Sequence, residues 1–266
     1  MPNIEETVHI IPLGHEIDRA IKPFEKIKAD RVYLLTNWDD SNSSDEMSIK
    51  QKYYYETVKE KLIKNKIDVQ PLVKVDLFDL LDVMKNVSKI IIKEKSHNNR
   101  IFVNMSAAGR LTSVAATLAG MAHDANVYYV HSEDYPSDEN LRQKHGLSIC
   151  RNGKTDKLIN FQIVMPETIG LKILLFLCND NKRVKMKDIL DFLKSENVKG
   201  FEELFDEVEE SRMRTLQSNQ LMKLDKTLLS KLEKHGYVSR RKDGTRVYVS
   251  ITESGRYIAH ISGLLE

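Results

Sequence analysis

The stretch that decides the fold of the C-terminal part is Tyr237–Ile251, with the sequence YVSRRKDGTRVYVSI. Two runs rich in β-branched, aromatic and basic residues flank an Asp-Gly pair at positions 243–244. An Asp-Gly pair between two such runs is a strong local signal for a β-hairpin, because both residues tolerate the backbone angles of a tight turn. The sequence therefore predicts a hairpin, the wing, that carries Arg240, Arg241, Lys242 and Arg246.

Helical patterns surround this hairpin on both sides. Apolar residues recur at helical spacing over 169–177, 186–193 and 221–232, and an acidic helical stretch is expected over 201–210. Gly236 is typical of a helix C-terminus, and Thr252 is placed to cap the helix that follows the hairpin. Three helices followed by a hairpin form the outline of a winged helix-turn-helix. We therefore predict a winged domain over residues 167–266.

The positive charge of the chain is concentrated in this winged part. The whole chain has a formal net charge of only +2, but residues 211–256 hold eleven basic and four acidic side chains. A basic helix next to a basic hairpin is typical of nucleic-acid binding. A solubilising face on a protein-binding module is the alternative. The residues expected to contact double-stranded DNA are Lys223, Lys226, Thr227, Ser230, Lys231, Arg240, Arg241, Lys242 and Arg246.

The first part of the chain, residues 1–150, alternates short apolar runs with helical patterns. The predicted strands are Thr7–Pro12, Arg31–Thr36, Asp68–Val75, Ile101–Val103 and Asn126–Val130. Regular alternation with near-continuous apolar strands predicts a parallel sheet covered by helices on both faces. The expected fold class is α/β: a Rossmann-like parallel-sheet domain, a linker over 151–166, and the winged domain.

Three loops follow predicted strands at the edge where such sheets bind ligands. The loop at 104–110 places small residues and a hydroxyl before a helix, whose free N–H groups and dipole favour an anion. Its small residues alternatively serve only to pack the helix tightly on the sheet. The candidate ligand-binding residues are Leu13, Gly14, His15, Thr36, Asn37, Asn104, Ser106, Ala107, Ala108, Gly109 and Arg110.

Several other classes of protein are not expected. No apolar run approaches the roughly 20 residues that span a bilayer, and the acidic N-terminus differs from a secretory signal. The two cysteines, Cys150 and Cys178, form neither a disulfide framework nor a metal-binding spacing. No hydrolase or metalloprotease motif is present, so no catalytic residue is predicted. We expect a soluble, cytoplasmic protein without metal or cofactor.

Three motifs in this order resemble archaeal CRISPR-associated transcription regulators, which join a CARF (CRISPR-associated Rossmann fold) sensor domain to a winged helix. HIIPLGHEIDR at His9–Arg19 is similar to the first strand and ligand loop of that family, and VNMSAAGR at Val103–Arg110 to its second signature. Lys231–Gly255 resembles the winged domains of prokaryotic transcription regulators. The chain departs from some relatives at Ala107 and Ala108, where those relatives have glycine or threonine, which leaves the identity of the ligand open.

The resemblance implies a homodimer whose sensor domains share a two-fold pocket for a cyclic oligoadenylate, with cyclic tetra-adenylate as the first candidate. Backbone N–H groups of the two signature loops would hold phosphates, and an adenine would lie near Thr36 or Asn37. The first hypothesis is therefore a ligand-responsive DNA-binding transcription regulator. Since some CARF domains cleave their own ligand, a ring nuclease using Ser106 and Arg110 is one alternative. The other is a winged protein that binds DNA or a partner without a nucleotide.

Overall fold

The computed structural model describes residues 5–38, 46–180, 183–202, 210–244 and 246–265. The chain forms two compact units, Met1–Ile163 and Val164–Glu266. Residues 151–163, expected to lie in a linker, thus belong to the first unit, where they supply a strand.

The first unit is built on a sheet, seven-stranded over the described ranges, in which the strand order is β3-β2-β1-β5-β6-β7 and β4 also pairs with β2. Every strand pair is parallel except β6 with β7, which is antiparallel. The strands are β1 (Thr7–Pro12), β2 (Arg31–Thr36), β3 (Asp68–Val69), β4 (Val73–Lys74), β5 (Arg100–Asn104), β6 (Asn126–Val130) and β7 (Thr155–Lys157). The mostly parallel α/β architecture predicted from the sequence is confirmed.

One predicted strand is divided in two. Where a single strand was expected over Asp68–Val75, the structure has β3 and β4, both paired with β2. Pro71 lies between them, and proline has no N–H with which to continue a ladder. The interruption is a direct consequence of that residue.

Helices cover the sheet on both faces. They are α1 (Asp18–Ile21), α2 (Glu46–Lys64), α3 (Leu80–Lys95), α4 (Arg110–Ala122) and α5 (Glu139–His145). On one face, Tyr55, Val58 and Leu62 of α2 pack against Ile11 and Leu34 of the sheet. On the other face, α3 and α4 pack on β5, and a Cβ added at Gly120 of α4 would lie only 2.4 Å from Val127 Cγ2. The small residues of α4 therefore let this helix approach the sheet closely.

The second unit has the predicted winged order of helices and hairpin. Its elements are α6 (Thr168–Asp180), β8 (Val184–Lys185), α7 (Met186–Ser195), α8 (Glu210–Lys223), a π-helical turn (Leu224–Leu229), α9 (Ser230–Lys234), β9 (Val238–Asp243), β10 (Arg246–Ile251) and α10 (Glu253–Ile261). The strands form an antiparallel sheet in the order β8-β10-β9. Thr252 caps α10 as predicted, because its Oγ1 accepts from Gly255 N at 3.1 Å. Of the acidic stretch at 201–210, residues 203–209 lie outside the described residues.

The core of the winged unit comes from the predicted leucine and isoleucine stripes. Ile173 and Leu177 of α6, Leu190 of α7, Leu229 before α9 and Val249 of β10 are fully buried. Across the residues that the structure describes, no helix is both long and apolar enough to cross a membrane.

Candidate functional site

The order of strands reverses between β1 and β5. These two strands are neighbours in the sheet, although β2, β3 and β4 lie between them in sequence. From this pair the chain continues to β2 on one side and to β6 on the other. In open α/β sheets, ligands bind outside the carboxyl ends of the strands at such a reversal. The loops at 13–15 and 105–110 flank this point, so the structure brings two of the three predicted loops together.

A hydrogen bond joins these two loops. Gly14 N donates to Ala107 O at 2.8 Å, and a Cβ added at Gly14 would lie 3.4 Å from Ala108 Cα. Gln51 Nε2 of α2 donates to Leu13 O at 2.8 Å, which fixes the first loop to α2. The side chains of Leu13 and Ala107 are fully buried, and the N–H of Leu13 donates to Leu35 O, so Leu13 offers a ligand neither its side chain nor its N–H.

The polar side chains of the second loop hold that loop in shape. Ser106 Oγ donates to Asn104 Oδ1 at 2.8 Å and accepts from Val130 N at 2.9 Å, and Ser106 N also donates to Asn104 Oδ1. Asn104 Nδ2 donates to Arg19 O at 2.9 Å. Both side chains are buried, and buried polar groups need such partners. In the structure these side chains fix the backbone of the loop, and the ligand-binding role of Asn104 and Ser106 stays a prediction.

The first turn of α4 supplies groups that remain available. Gly109 is the N-cap residue of α4 and is exposed, with φ −65°, and it provides no side-chain cap. The first N–H groups of a helix have no acceptor within the helix, and they lie at the positive end of the helix dipole. Arg110, also exposed, adds a positive charge at the same place. This turn is suited to an anion such as a phosphate.

The third predicted loop, after β2, is held next to β1 because Leu13 N donates to Leu35 O at 2.7 Å. Thr36 is fully buried, and its Oγ1 accepts from Trp38 N at 3.4 Å. Asn37 is half-buried, and its Oδ1 is buried with no hydrogen-bond partner among the described residues. A buried acceptor without a donor is unusual in a folded protein, but an atom with no exposed surface does not reach a ligand unless the side chain turns.

Two side chains of the first loop set its electrostatics. The ring of His15 stacks on Tyr54 at 4.8 Å between centroids, and burial together with the charge of Lys50 lowers the pKa of His15. Burial raises the pKa of Glu16 to about 7, although Ser148 Oγ donates to its Oε1 at 2.7 Å and Arg19 lies 3.7 Å away. The lowered pKa favours the uncharged form of His15, and Glu16 is partly protonated near pH 7.

Arg19 and Gln51 were not among the predicted site residues. Arg19 Nη1 donates to Ser106 O at 3.2 Å, and its Nη2 donates to Ser132 Oγ at 3.2 Å. Arg19 is the last residue of the HIIPLGHEIDR motif, which was a signal for it in the sequence. Gln51 lies in a polar helical pattern that carried no such signal.

The winged unit presents a group of exposed residues on the π-helical turn before α9 and on the hairpin. Lys226 and Thr227 are exposed on the helical stretch before the hairpin, and Arg241, Lys242 and Arg246 are exposed on β9 and β10. We call Arg241, Lys242 and Arg246 the wing cations. They are positioned for contact with phosphates.

Arg240 is engaged within the protein instead. Its Nη1 donates to Asp225 Oδ1 at 2.5 Å, and its Nε donates to Glu233 Oε2 at 2.9 Å. Arg240 Nη1 also donates to the Asp225 carbonyl, which lies in the π-helical turn. This ion pairing raises the pKa of Arg240 and lowers that of Glu233. Arg240 thus ties β9 to the helix before it.

Three other residues expected to contact DNA also have partners within the winged unit. Lys231 Nζ lies 3.1 Å from Glu167 Oε1, and Lys223 Nζ lies 4.9 Å from the centre of the Phe201 ring. Ser230 Oγ donates to Asp225 O at 2.8 Å. Lys223 and Lys231 are nevertheless exposed, so a weak surface interaction leaves them able to move to a phosphate.

Within the described parts of the chain, no group of three or more His, Cys, Asp or Glu side chains is placed to hold a metal ion. Cys150 and Cys178 are free thiols. Ser106 Oγ donates to an amide oxygen rather than to a base, and a serine nucleophile needs a base.

A mostly parallel α/β unit followed by a winged helix domain is the class of protein that the fold defines. Two family models agree with this division. Residues 7–135 match the model described as HFX_2341_N-like, N-terminal, and residues 169–263 match the C-terminal winged helix domain of DUF6293.

Individual relatives resemble parts of the chain. The uncharacterized protein MJ1513 of Methanocaldococcus jannaschii is 24% identical over 123 residues, which cover 46% of this chain and 35% of that protein. The chain thus spans about a third of the length of this curated relative.

Three solved structures are similar at low identity. Protein VC1899 of Vibrio cholerae has a TM-score of 0.40 and 12% identity, with 96% of this chain and 64% of that one covered. Enterococcus italicus Csm6 bound to cyclic hexa-2'-fluoro-hexa-dAMP has a TM-score of 0.42 and 13% identity, with coverage of 86% and 56%. Can2 of Sulfobacillus thermosulfidooxidans in complex with cyclic tetra-adenylate has a TM-score of 0.39 and 13% identity, with 96% of this chain and 62% of that one covered.

Proposed function

We propose that this chain is a ligand-responsive transcription regulator, in which the first unit binds a cyclic oligoadenylate and the winged unit binds double-stranded DNA. The observation that carries the proposal is the hydrogen bond from Gly14 N to Ala107 O. It holds the two loops that resemble the CARF signatures together, at the reversal of strand order and beside the open first turn of α4.

The chemistry of a cyclic oligoadenylate matches this arrangement. Its phosphates would accept hydrogen bonds from the free N–H groups of α4 and form an ion pair with Arg110. Asn37 Oδ1, which has no partner among the described residues, would accept from the amino group of an adenine once its side chain turns outward. Glu16 is partly protonated near pH 7 because burial raises its pKa, so its repulsion of phosphate is reduced. Cyclic tetra-adenylate is the first ligand to test.

We call the space beside the loops at 13–15 and 105–110 the crevice, and exposed apolar residues next to it support a homodimer. Leu111 and Val114 of α4 are 46% and 51% exposed, and Phe78 is 72% exposed. Phe78 lies near the same helix end, since Thr112 Oγ1 of α4 donates to the carbonyl of its neighbour Leu77 at 2.6 Å. Apolar side chains grouped in this way are suited to contact with a second copy.

In the winged unit, the exposed helix residues Lys226 and Thr227 would meet the major groove while the wing cations follow the backbone. In a symmetric dimer the two half-sites would lie one helical turn of DNA apart, about 34–36 Å, or a multiple of it. The ligand regulates only if it binds one arrangement of the dimer more tightly than another.

The sensor part is tested by calorimetric titration of the purified chain with cyclic tetra-adenylate, with linear tetra-adenylate as the control. We expect saturable binding near one cyclic ligand per dimer and much weaker binding of the linear form. The absence of binding to any cyclic oligoadenylate would overturn the sensor part. Chromatography of the ligand after incubation tests the ring nuclease alternative, which the engagement of Ser106 with Asn104 disfavours.

The DNA-binding part is tested separately by fluorescence anisotropy with a labelled duplex over a series of salt concentrations. Contacts with phosphates release counterions, so we expect the affinity to fall steeply as salt rises. An affinity that does not depend on salt, or no binding to any duplex, would instead favour a winged domain that contacts protein.

A further inference from the structure

The winged unit contains a cavity that the proposed function does not use. It has a volume of about 680 Å³, and it lies between the segment at 164–167, the beginning of α6 and the helical stretch that ends at His235. Cavities that bind small molecules have volumes of roughly 300–1,000 Å³ and mostly apolar linings. The size of this cavity is therefore appropriate for a small ligand.

The walls of the cavity are apolar. Leu228 and Leu232 form one side, and Val164, Met165 and Pro166 form another. The two Leu side chains are almost completely buried, whereas Val164 is 76% exposed.

Gly170 of α6 sets the separation of the walls. A Cβ added at Gly170 would lie 3.3 Å from Leu232 Cδ2 and 3.4 Å from Pro166 Cβ. The two helices therefore approach each other closely beside the cavity, and a body of apolar atoms inside it would make contacts on several sides.

The charges that line the cavity are mostly positive. Lys231, Lys234 and His235 contribute basic groups, and Glu167 contributes the single carboxylate among the lining residues. Glu167 is paired with Lys231 at 3.1 Å, and His235 Nδ1 donates to the Lys231 carbonyl at 2.7 Å. Lys234 is exposed and has no ion-pair or hydrogen-bond partner in the described part of the winged unit. One cation on an apolar cavity is thus left without an anion.

An aromatic surface adjoins these charges. The rings of His235 and Tyr237 are stacked, with 5.8 Å between centroids and 16° between planes, and both residues line the cavity. Flat aromatic surfaces bury a large apolar area at little cost in side-chain entropy.

We propose that this cavity binds a small amphipathic anion, with an alkyl or aromatic body against Leu228, Leu232 and Met165 and a carboxylate near Lys234. A neutral molecule would lack the ion pair, and a cation would be repelled by the unpaired Lys234. The cavity belongs to the winged unit alone, and none of the wing cations lines it. Lys231, which is expected to contact DNA, does line it, so the site is separate from the nucleotide site and from the wing cations but adjoins the helical part of the expected DNA interface.

Methyl NMR of the full chain tests this site with three probes of equal chain length: decanoate, decanol and decylammonium. We expect decanoate to shift the methyl signals of Met165, Leu228 and Leu232 in a saturable way, and to bind at least about ten-fold more tightly than the other two probes. Lys234→Glu should lower the affinity for decanoate by about ten-fold or more, because it replaces the unpaired cation with an anion. Lys187→Glu is the matched control, since Lys187 is also an exposed lysine of the winged unit but does not line the cavity.

Three outcomes would overturn the proposal. The first is equal binding of the three probes, which would mean that the cavity selects only for apolar surface. The second is an equal effect of Lys187→Glu and Lys234→Glu, which would mean that only the net charge of the unit matters. The third is the absence of saturable shifts at these three methyl groups.

Discussion

The crevice in the first unit and the hairpin in the second unit are both suited to binding phosphate. The crevice offers backbone N–H groups, whereas the hairpin offers charged side chains. In the crevice, the side chains of Asn104 and Ser106 are used in internal hydrogen bonds, and the first N–H groups of α4 remain available. In the hairpin, the backbone is used in the ladder, where Arg241 pairs with Tyr248 and Lys242 pairs with Val247. The side chains of the wing cations remain available.

This difference teaches how each site should respond to substitution. A site made of backbone groups depends on the shape of the loop and is sensitive to added atoms. A site made of flexible cations depends on charge and is sensitive to salt. The predictions below follow from this contrast, beginning with the largest effect.

The largest effect is expected from reversing all three wing cations, Arg241→Glu, Lys242→Glu and Arg246→Glu. The affinity for duplex DNA should fall by about 100-fold or more near 0.1 M salt, because each change removes a phosphate contact and adds repulsion. Anisotropy measures this loss, and a single-cation variant such as Arg246→Gln should also make the salt dependence shallower by about one unit of log–log slope. Lys187→Glu is the control. An unchanged affinity in the triple variant would exclude the hairpin from the DNA interface.

The next effect is expected at Gly109, where the crevice depends on space. A Cβ added there meets nothing closer than Thr112 Oγ1 at 4.0 Å, and its φ of −65° suits any residue, so the variants should fold normally. Gly109→Val should lower the affinity for cyclic tetra-adenylate by about 10-fold or more, because the branched side chain would cover the open N–H groups. Gly109→Ala should lower this affinity by less. Calorimetry measures both affinities. Equal binding by the wild type and the Val variant would mean that the first turn of α4 only packs.

The contrast between neighbouring arginines gives the third prediction. Arg240→Gln should lower the free energy of unfolding of the winged unit by about 1–2 kcal/mol, because it leaves Asp225 and Glu233 close together without their cation. Arg241→Gln, at an exposed position, should change it by less than about 0.5 kcal/mol. Urea titration followed by circular dichroism compares the two. If the two variants were equally stable, the ion pairs of Arg240 would have no structural value.

The smallest effect is expected from the charge of Glu16 at the base of the crevice. Its pKa is raised to about 7, so raising the pH from 6 to 8 ionises it and adds repulsion to a phosphate. The affinity for cyclic tetra-adenylate should therefore fall by about three-fold over this range, and Glu16→Gln should remove most of the fall. Calorimetry at both pH values measures this, and an equal pH dependence in the two proteins would contradict it.

The same pKa shift has a consequence for stability. Because the pKa of Glu16 in the folded state lies above its ordinary value of 4.5, the folded state binds more protons than the unfolded state between these two values. The contribution of Glu16 to stability is therefore greatest below about pH 4.5 and falls as the pH rises to about 7.

Local features were predictable because they depend on residues that are near in sequence. The hairpin at 238–251, the cap at Thr252 and the end of α4 at Ala122 follow from turn chemistry, capping and periodicity within a few positions. The order of loops and strands in the sequence also predicts that 13–15 and 104–110 lie at one edge of the sheet. Pro71, which divides the third predicted strand, is also a local signal, because proline has no N–H for the ladder.

The sequence by itself determined the two-part architecture, the basic hairpin and the loops at the carboxyl ends of the strands, because these follow from patterns over short stretches. Only the tertiary structure decided which polar groups remain available. Ser106 meets Val130, Asn104 meets Arg19, and Arg240 meets Asp225 across 24, 85 and 15 positions of sequence, respectively. Residue type alone does not reveal a partner so far along the chain, so the division between groups that hold the fold and groups free to bind appears only once the chain is folded.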